Sequence, residues 1–530
     1  MKGPSMACLF ASRGVTVNQL FDFSTDASTE GLQSVAAATS GCRILILFFS
    51  LLGSLGMMGD GRFIVNLVLT ASLMLASGGP PAAGQEGNAG GESWLIGAGR
   101  RVITPVKPLM MAGYASRTKP ATDKDTDLWA KVLYLEDGEA NRGVMICLDL
   151  VGIGRDVSQR VCKRLNHSFG LKRQQIALFT SHTHSGPVVG MNLAPMHYLL
   201  ADELQQKRID AYADRLVDDI ETAVGMAIDA CQPGRVQWGS GKATFAVNRR
   251  ENKPYDIVPE KRAKGTLSGP VDHDVPVLAA RDLSGKLVAV VFGYACHATT
   301  LAAGQWNADY PGYAQLELEK MYPGCTAMFW AGCGADQNPL PRRTVELAKN
   351  YGNQLARAVG EVLAGPMAFL ESDLRTQYEE TDLKLQEIPG DLELNQAAQS
   401  SNRYEASRAR LLKTRTLADG SLADTYPYPT AIWELGGEVD FVHLGGEVVV
   451  DYAIRLKDEL NGHQTWVAAY ANDVMAYIPS RRVLAEGGYE GGGSNVYYGL
   501  PGIWHPDSEA RIVDAVRKQV EKTKSGSLRE

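Results

Sequence analysis

Residues 180–187 read Thr-Ser-His-Thr-His-Ser-Gly-Pro and set two imidazoles, His182 and His184, directly after the apolar run Gln175 to Phe179. Imidazole is the commonest metal ligand at neutral pH, and the chain holds only nine histidines, so two of them beside Gly-Pro mark a candidate metal or catalytic site. The run predicts a strand from Gln175 to His184. Alternate strand residues share a face, so both rings can converge on one cavity before Gly186-Pro187 turns the chain away. Surface or capping histidines satisfy the same spacing.

His297 closes a second apolar run, Lys286 to His297 (KLVAVVFGYACH). Ligands from different strand ends can meet at one edge of a sheet, although a core histidine held by a backbone carbonyl fits this position as well. Glu447 ends Leu444-Gly445-Gly446-Glu447, after the strand Val439 to Leu444. Its carboxylate would complete a set of two histidines and one carboxylate around zinc, with a position left open for water.

These groups need a scaffold that delivers strand ends to one place. Val144 to Ile153, Val157 to Phe169 and Gln175 to His184 read as strand, helix, strand, which favours a mixed α/β core of sheets with flanking helices and the metal site at the C-terminal ends of strands. A helix is predicted over Ala201 to Ala230, then short strands at Val236 to Gly239 and Lys242 to Val247. After the Lys286 to His297 strand come helix Tyr313 to Met321, strand Thr326 to Ala331 and helix Thr344 to Leu363. Residues 374–435 are charged and rich in Gln, Asn and Arg. They are expected to form a helical insertion with its helix near Asn395 to Thr416, either solvated or covering the site.

Residues 1–90 differ in kind from the rest. Arg43 to Met58 and Phe63 to Ala76 are apolar, each shorter than the roughly 20 residues of a membrane span. The second follows Arg62 and runs into Ser77-Gly78-Gly79-Pro80-Pro81, which reads as a secretory signal, with an uncleaved anchor as the alternative. Met57 or Met58 would serve as a start. Residues 91–530 then form one catalytic domain, secreted or held in the cell envelope. A net charge of −7 argues against a nucleic-acid groove. The eight cysteines contain no Cys-x-x-Cys, which excludes a zinc ribbon or dithiol motif. In an exported chain Cys325 and Cys333 are the expected local disulfide, whereas Cys147 and Cys296 lie in strand-like runs as buried thiols.

Several blocks, in order, resemble the neutral (non-lysosomal) ceramidase family, zinc-dependent amidases of N-acylsphingosine. They are Ile96-Gly97-Ala98-Gly99, Ile103-Thr104-Pro105, Met111-Ala112-Gly113-Tyr114, Thr180 to Pro187, Asn248-Arg249, His297-Ala298-Thr299, Gly446-Glu447, Ala471-Asn472 leading to Tyr477, and Tyr489-Glu490-Gly491. The resemblance implies that His182, His297, Glu447 and Tyr477 hold Zn²⁺ and that His184, Arg249 and Tyr489 face the substrate. Two imidazoles and a carboxylate leave the ion about one net positive charge, enough to draw bound water from pKa ~15.7 toward ~7 for attack on an amide carbonyl. Arg249 and Tyr489 suit oxyanion stabilisation, and His184 suits proton delivery to the leaving amine.

The chain departs from the family pattern at Ala335-Asp336-Gln337-Asn338-Pro339-Leu340, where Asn338 stands in place of a serine. An amide cannot serve as a nucleophile, so a serine acyl-enzyme is excluded while attack by zinc-bound hydroxide is not; Cys333 is the alternative nucleophile. Family members continue into an immunoglobulin-like domain, and this sequence ends at Glu530, soon after Tyr489. The expected activity is hydrolysis of an N-acyl amide, ceramide to sphingosine and fatty acid, with peripheral membrane contact. A different amide or ester, or a catalytically silent binding protein, is the other reading.

Overall fold

The structure, a computed structural model, describes residues 93–526. The signal and anchor readings, and the start at Met57 or Met58, fall on residues outside that range. Nine strands form the larger sheet: β1 (Trp94–Val102), β2 (Trp129–Glu136), β3 (Arg142–Leu148), β4 (Ile176–Thr180), β5 (Gln232–Lys242), β6 (Asp274–Asp282), β7 (Leu287–Tyr294), β8 (Thr326–Ala331) and β9 (Ala368–Leu370). Their order is β8-β7-β6-β5-β1-β2-β3-β4, with β9 also on β5. A second sheet holds β10 (Leu374–Gln386), β11 (Thr425–Leu435), β12 (Val439–Leu444), β13 (Thr465–Ala468) and β14 (Ile503–Trp504), in the order β13-β12-β11-β10-β14. The helices that matter here are α1 (Arg155–Phe169), α2 (Glu203–Asp229), α3 (Asp309–Met321), α4 (Val345–Ala364), α5 (Asp391–Ala397), α6 (Arg403–Lys413) and α7 (Asp451–Glu459).

Within these two sheets most pairings are antiparallel, but three are parallel: β3 with β4, β7 with β8, and β12 with β13. Each is bridged by one helix, α1, α3 and α7 respectively, because a parallel return needs a crossover. His182 follows β4, His297 follows β7 and Glu447 follows β12. Each of these residues therefore follows the C-terminal end of a strand in one of the three strand-helix-strand units.

The two sheets face each other across an apolar layer. Phe179, Met328 and Trp330 of the larger sheet pack against Trp433, Phe441 and Trp466 of the smaller. On the outer face α1 and α2 cover β2, β3 and β4, with Val157, Val161 and Leu165 of α1 inward and Gly170 closing that helix at φ 68°. The sheets are tied at the site end by the segment after β13. Ala469 N donates to Ala331 O, Tyr470 N to Gly446 O, and Asn472 N to Leu178 O. One stretch of backbone thus locks the ends of β8, β12 and β4 together.

Four sequence expectations change. Residues 374–435 are not helical throughout: their ends are β10 and β11, paired over eleven registered residues, and α5 and α6 occupy only the loop between them. Alternation in β10 is obscured because one of its faces is partly solvated. The predicted strands near 236–247 merge into one long β5 plus the short Ala246–Asn248. The Gln175 to His184 strand stops at Thr180, so alternation does not aim its histidines. Cys325 and Cys333 are free thiols, as are Cys147 and Cys296. Cys325 and Cys333 flank β8, whose extended length separates its ends by about 20 Å, far beyond disulfide reach.

The layer between the sheets encloses a histidine ring. His443 of β12 is fully buried, and neither ring nitrogen has a hydrogen-bond partner. Its ring stands 4.9 Å from Phe179 and 4.5 Å from Phe441. Burial, with a smaller contribution from Arg173, pushes its pKa from 6.5 down to about 3. The native state therefore refuses a proton that the unfolded chain accepts. Stability from this residue is complete above pH 6.5 and declines as pH falls toward 3, by about 1.4 kcal/mol per pH unit. Thermal melts between pH 7 and 4 should show His443→Leu losing stability less steeply than the wild type; parallel slopes would contradict this account.

Candidate metal centre

The chain reaches the site through strained backbone. His182 has φ 58°, Tyr470 φ 54° and Asn472 φ 65°, conformations that cost non-glycine residues about 1 to 3 kcal/mol each and persist where the surroundings impose them. The Asn472 side chain accepts from Leu178 N, and the Tyr470 ring lies 4.2 Å from the His182 ring. Both residues brace the turn that swings His182 inward.

Each histidine is then fixed by a backbone carbonyl. His182 Nδ1 lies 2.6 Å from Val151 O, and His297 Nδ1 lies 2.8 Å from Gly334 O. A carbonyl only accepts, so each Nδ1 carries the proton and each Nε2 presents a lone pair. Both lone pairs converge on Glu447 Oε2, 3.2 Å from either Nε2. That oxygen is buried and accepts no hydrogen bond. Two imidazole nitrogens and a carboxylate oxygen at this spacing form a set that could hold a cation, with Arg249 Nη1 also 3.4 Å from His297 Nε2.

The distances agree with that reading. Tetrahedral bonds of about 2.0 to 2.1 Å place neighbouring ligand atoms about 3.3 Å apart. Besides the two contacts to Glu447, His182 Nε2 is 3.1 Å from His184 Nε2, and His297 Nε2 is 3.2 Å from the Tyr477 hydroxyl. His182, His184 and His297 group their ligating atoms within 4.8 Å, so His184 belongs with the metal-competent set as well as beside it. Glu447 and Tyr477 are brought alongside because Glu447–Val448 pairs in parallel with Tyr477–Ile478.

Electrostatics keep the donors in ligating form. Burial and the neighbouring imidazoles hold His184 well below its usual pKa, and burial and then Arg249 push His297 down to about 4. The Tyr498 hydroxyl engages the other carboxylate oxygen, Oε1, leaving Oε2 for the centre. Sequence reasoning passed over Tyr498, which sits in a four-residue helix, Asn495–Tyr498, with no motif spacing.

Arg249 is positioned differently from a free substrate-facing cation. Its Nε donates to Glu490 Oε1 at 2.7 Å, Nη2 donates to the Tyr477 hydroxyl at 3.2 Å, and Nη1 reaches Asn338 Oδ1 at 3.4 Å. Burial opposes its charge, yet Tyr477 and Glu490 hold its pKa well above the usual value. Asp336 O accepts from Arg249 N, and Asp336 Oδ1 accepts from Val450 N, joining this loop to the Glu447 segment. Tyr489 is 46% exposed, with its ring 5.2 Å from that of Tyr477. Among the expected residues it is the one open to an incoming molecule. Cys333 is wholly buried, and burial raises its thiol well above the usual range, which removes it as a nucleophile.

The residues from 94 to 332 match the family model of neutral/alkaline non-lysosomal ceramidases, N-terminal region. That span holds His182, His184, Arg249 and His297; Glu447, Tyr477 and Tyr489 lie beyond it. Neutral ceramidases of Drosophila melanogaster and Drosophila pseudoobscura pseudoobscura are 26% and 27% identical over 236 residues, 43% of this chain. The alignment spans only 32% of either relative's length. The crystal structure of neutral ceramidase from Pseudomonas aeruginosa superposes with a TM-score of 0.62 at 20% identity, over 80% of this chain and 73% of that one. The fold is therefore shared well past the matched span.

Metal analysis of dialysed protein should find close to one transition-metal ion per chain, and His182→Ala and Glu447→Gln should lose it. Tyr498→Phe removes only a hydroxyl behind the carboxylate and should retain metal with affinity weakened about 10- to 100-fold. Full metal in His182→Ala would place the ion elsewhere.

Proposed function

Starting from a chain related through residues 94–332 to the neutral/alkaline non-lysosomal ceramidases, we propose that it hydrolyses N-acyl amide bonds at a zinc centre. The observation that carries the reading is the convergence of His182 Nε2, His297 Nε2 and the unpartnered Glu447 Oε2. Nitrogen and oxygen donors with tetrahedral spacing suit Zn²⁺. Bound there, zinc supplies Lewis-acid polarisation of a carbonyl and activation of water.

The protein's own residues supply the remainder. His182, His297 and Glu447 would hold the ion, with His184 and the Tyr477 hydroxyl beside them. His184 stands beside these residues with its Nδ1 buried and unpartnered, the position from which a proton would be relayed to the departing amine. Arg249, pinned by Glu490, keeps a fixed positive charge behind the Tyr477 hydroxyl, and that hydroxyl can donate to a developing oxyanion. Tyr489 forms the open wall against which the substrate lies. Ceramide is one such amide, and contact with a membrane surface would accompany it. The Arg62 to Ala76 run supports export to the envelope or medium.

Asn338 separates this chemistry from an acyl-enzyme route. Its side chain touches Arg249 only through a long 3.4 Å contact. Asn338→Ala should retain activity within about tenfold of wild type, the cost of one neutral hydrogen bond. His182→Ala should lose many hundredfold. Hydrolysis in ¹⁸O water should place one solvent oxygen in the acid product. An acyl-enzyme trapped on the protein, or Asn338→Ala as inactive as His182→Ala with its metal intact, would contradict the proposal.

A further inference from the structure

On the His184 side of the site, we propose that Arg117, Arg342 and Arg343 form a carboxylate-binding rim, so that an N-acyl amino acid is taken in preference to a lipid amide with an uncharged head group. The inference rests on the amidase reading above and specifies its substrate class.

Tyr114 is the hinge of the arrangement. Its ring lies 4.8 Å from the His184 ring, and the guanidinium groups of Arg117 and Arg343 lie 4.8 and 5.0 Å from the Tyr114 ring. Arg343 Nη1 donates to the Tyr114 hydroxyl at 2.9 Å, and that hydroxyl donates to Leu301 O. Arg117 spends its donors on backbone carbonyls: Ala112 O, His184 O and Ala303 O. Arg342, next in sequence to Arg343, lies over Tyr255.

None of these three arginines has a carboxylate within ion-pair distance among the described residues, whereas Arg249 and Arg250 share Glu490. The nearby acid, Asp309, is buried and committed to the amides of Leu301 and Tyr310. The cluster repels itself. Burial and then Arg343 push Arg117 down to about 10, and burial and Arg343 also lower Arg342. Arg343 moreover holds φ 101°, a left-handed conformation that glycine would adopt at lower cost, with its amide on Thr300 O at 2.7 Å. Unpaired guanidinium groups held together against repulsion and strain match an absent anion, and their planar fork suits carboxylate.

The position selects the kind of anion. In an N-acyl amino acid the carboxylate carbon is three bonds from the scissile carbonyl carbon, about 4 Å away. A charge that close to the reacting bond falls beside His184, where this rim begins. Ceramide carries no charge there.

The test compares N-lauroyl-glycine, N-lauroyl-glycinamide and N-lauroyl-sphingosine on metal-loaded full chain. The glycine conjugate should be cleaved with kcat/KM roughly tenfold or more above the glycinamide, which differs only in the carboxylate. Arg343→Gln, an exposed position, and Arg342→Gln should each reduce that ratio several-fold through KM, while Lys518→Gln, exposed on the C-terminal helix Ser508–Gly526, should not alter it. Preference for the glycinamide or the sphingosine amide, or a ratio insensitive to both arginine variants, overturns the rim while leaving the amidase reading intact. No turnover of any of the three overturns the amidase reading and the rim with it.

Discussion

Everything at this site depends on two hydrogen bonds from imidazole to backbone carbonyl. Val151 O and Gly334 O take the Nδ1 protons of His182 and His297 and so turn both Nε2 lone pairs onto Glu447 Oε2. Without those contacts either ring could place its other nitrogen inward with a proton on it, and the three atoms would satisfy one another instead of a cation. With them, a buried carboxylate is left facing two acceptors. Such an arrangement is costly unless a positive charge occupies the centre.

The larger architecture serves that constraint. Val151 lies just after β3 and Gly334 just after β8, while the histidines follow β4 and β7. Each ring is thus oriented by the strand paired in parallel with its own. The segment 469–472 closes the arrangement by hydrogen bonding to the ends of β4, β8 and β12 together. Of the eight non-glycine residues at positive φ among the described residues, His182, Tyr470 and Asn472 lie here.

The converging residues were legible in the sequence for a simple reason: His182, His297 and Glu447 each follow an apolar run, and strand ends meet at one sheet edge. Their orientation was not. Alternation along a Gln175 to His184 strand predicts convergence by pleat, but β4 stops at Thr180 and convergence comes from a left-handed turn. Backbone carbonyls have no signature by residue type, so Val151 and Gly334 were invisible. Tyr498 and Glu490 hold Glu447 and Arg249 through contacts more than fifty residues apart in sequence, which spacing cannot reveal. The 374–435 stretch misled because its charged residues line the partly solvated face of a real strand, β10. The Cys325–Cys333 expectation failed for a reason the sequence did contain, since an apolar run between two cysteines extends and separates them.

X-ray absorption at the metal edge of the purified protein addresses the central claim most directly. A centre built from His182, His297 and Glu447 should show zinc with only nitrogen and oxygen neighbours at about 2.0 to 2.1 Å, and outer-shell scattering from at least two imidazoles. A sulfur neighbour near about 2.3 Å, or a first shell without imidazole scattering, would contradict the assignment of the metal to this site.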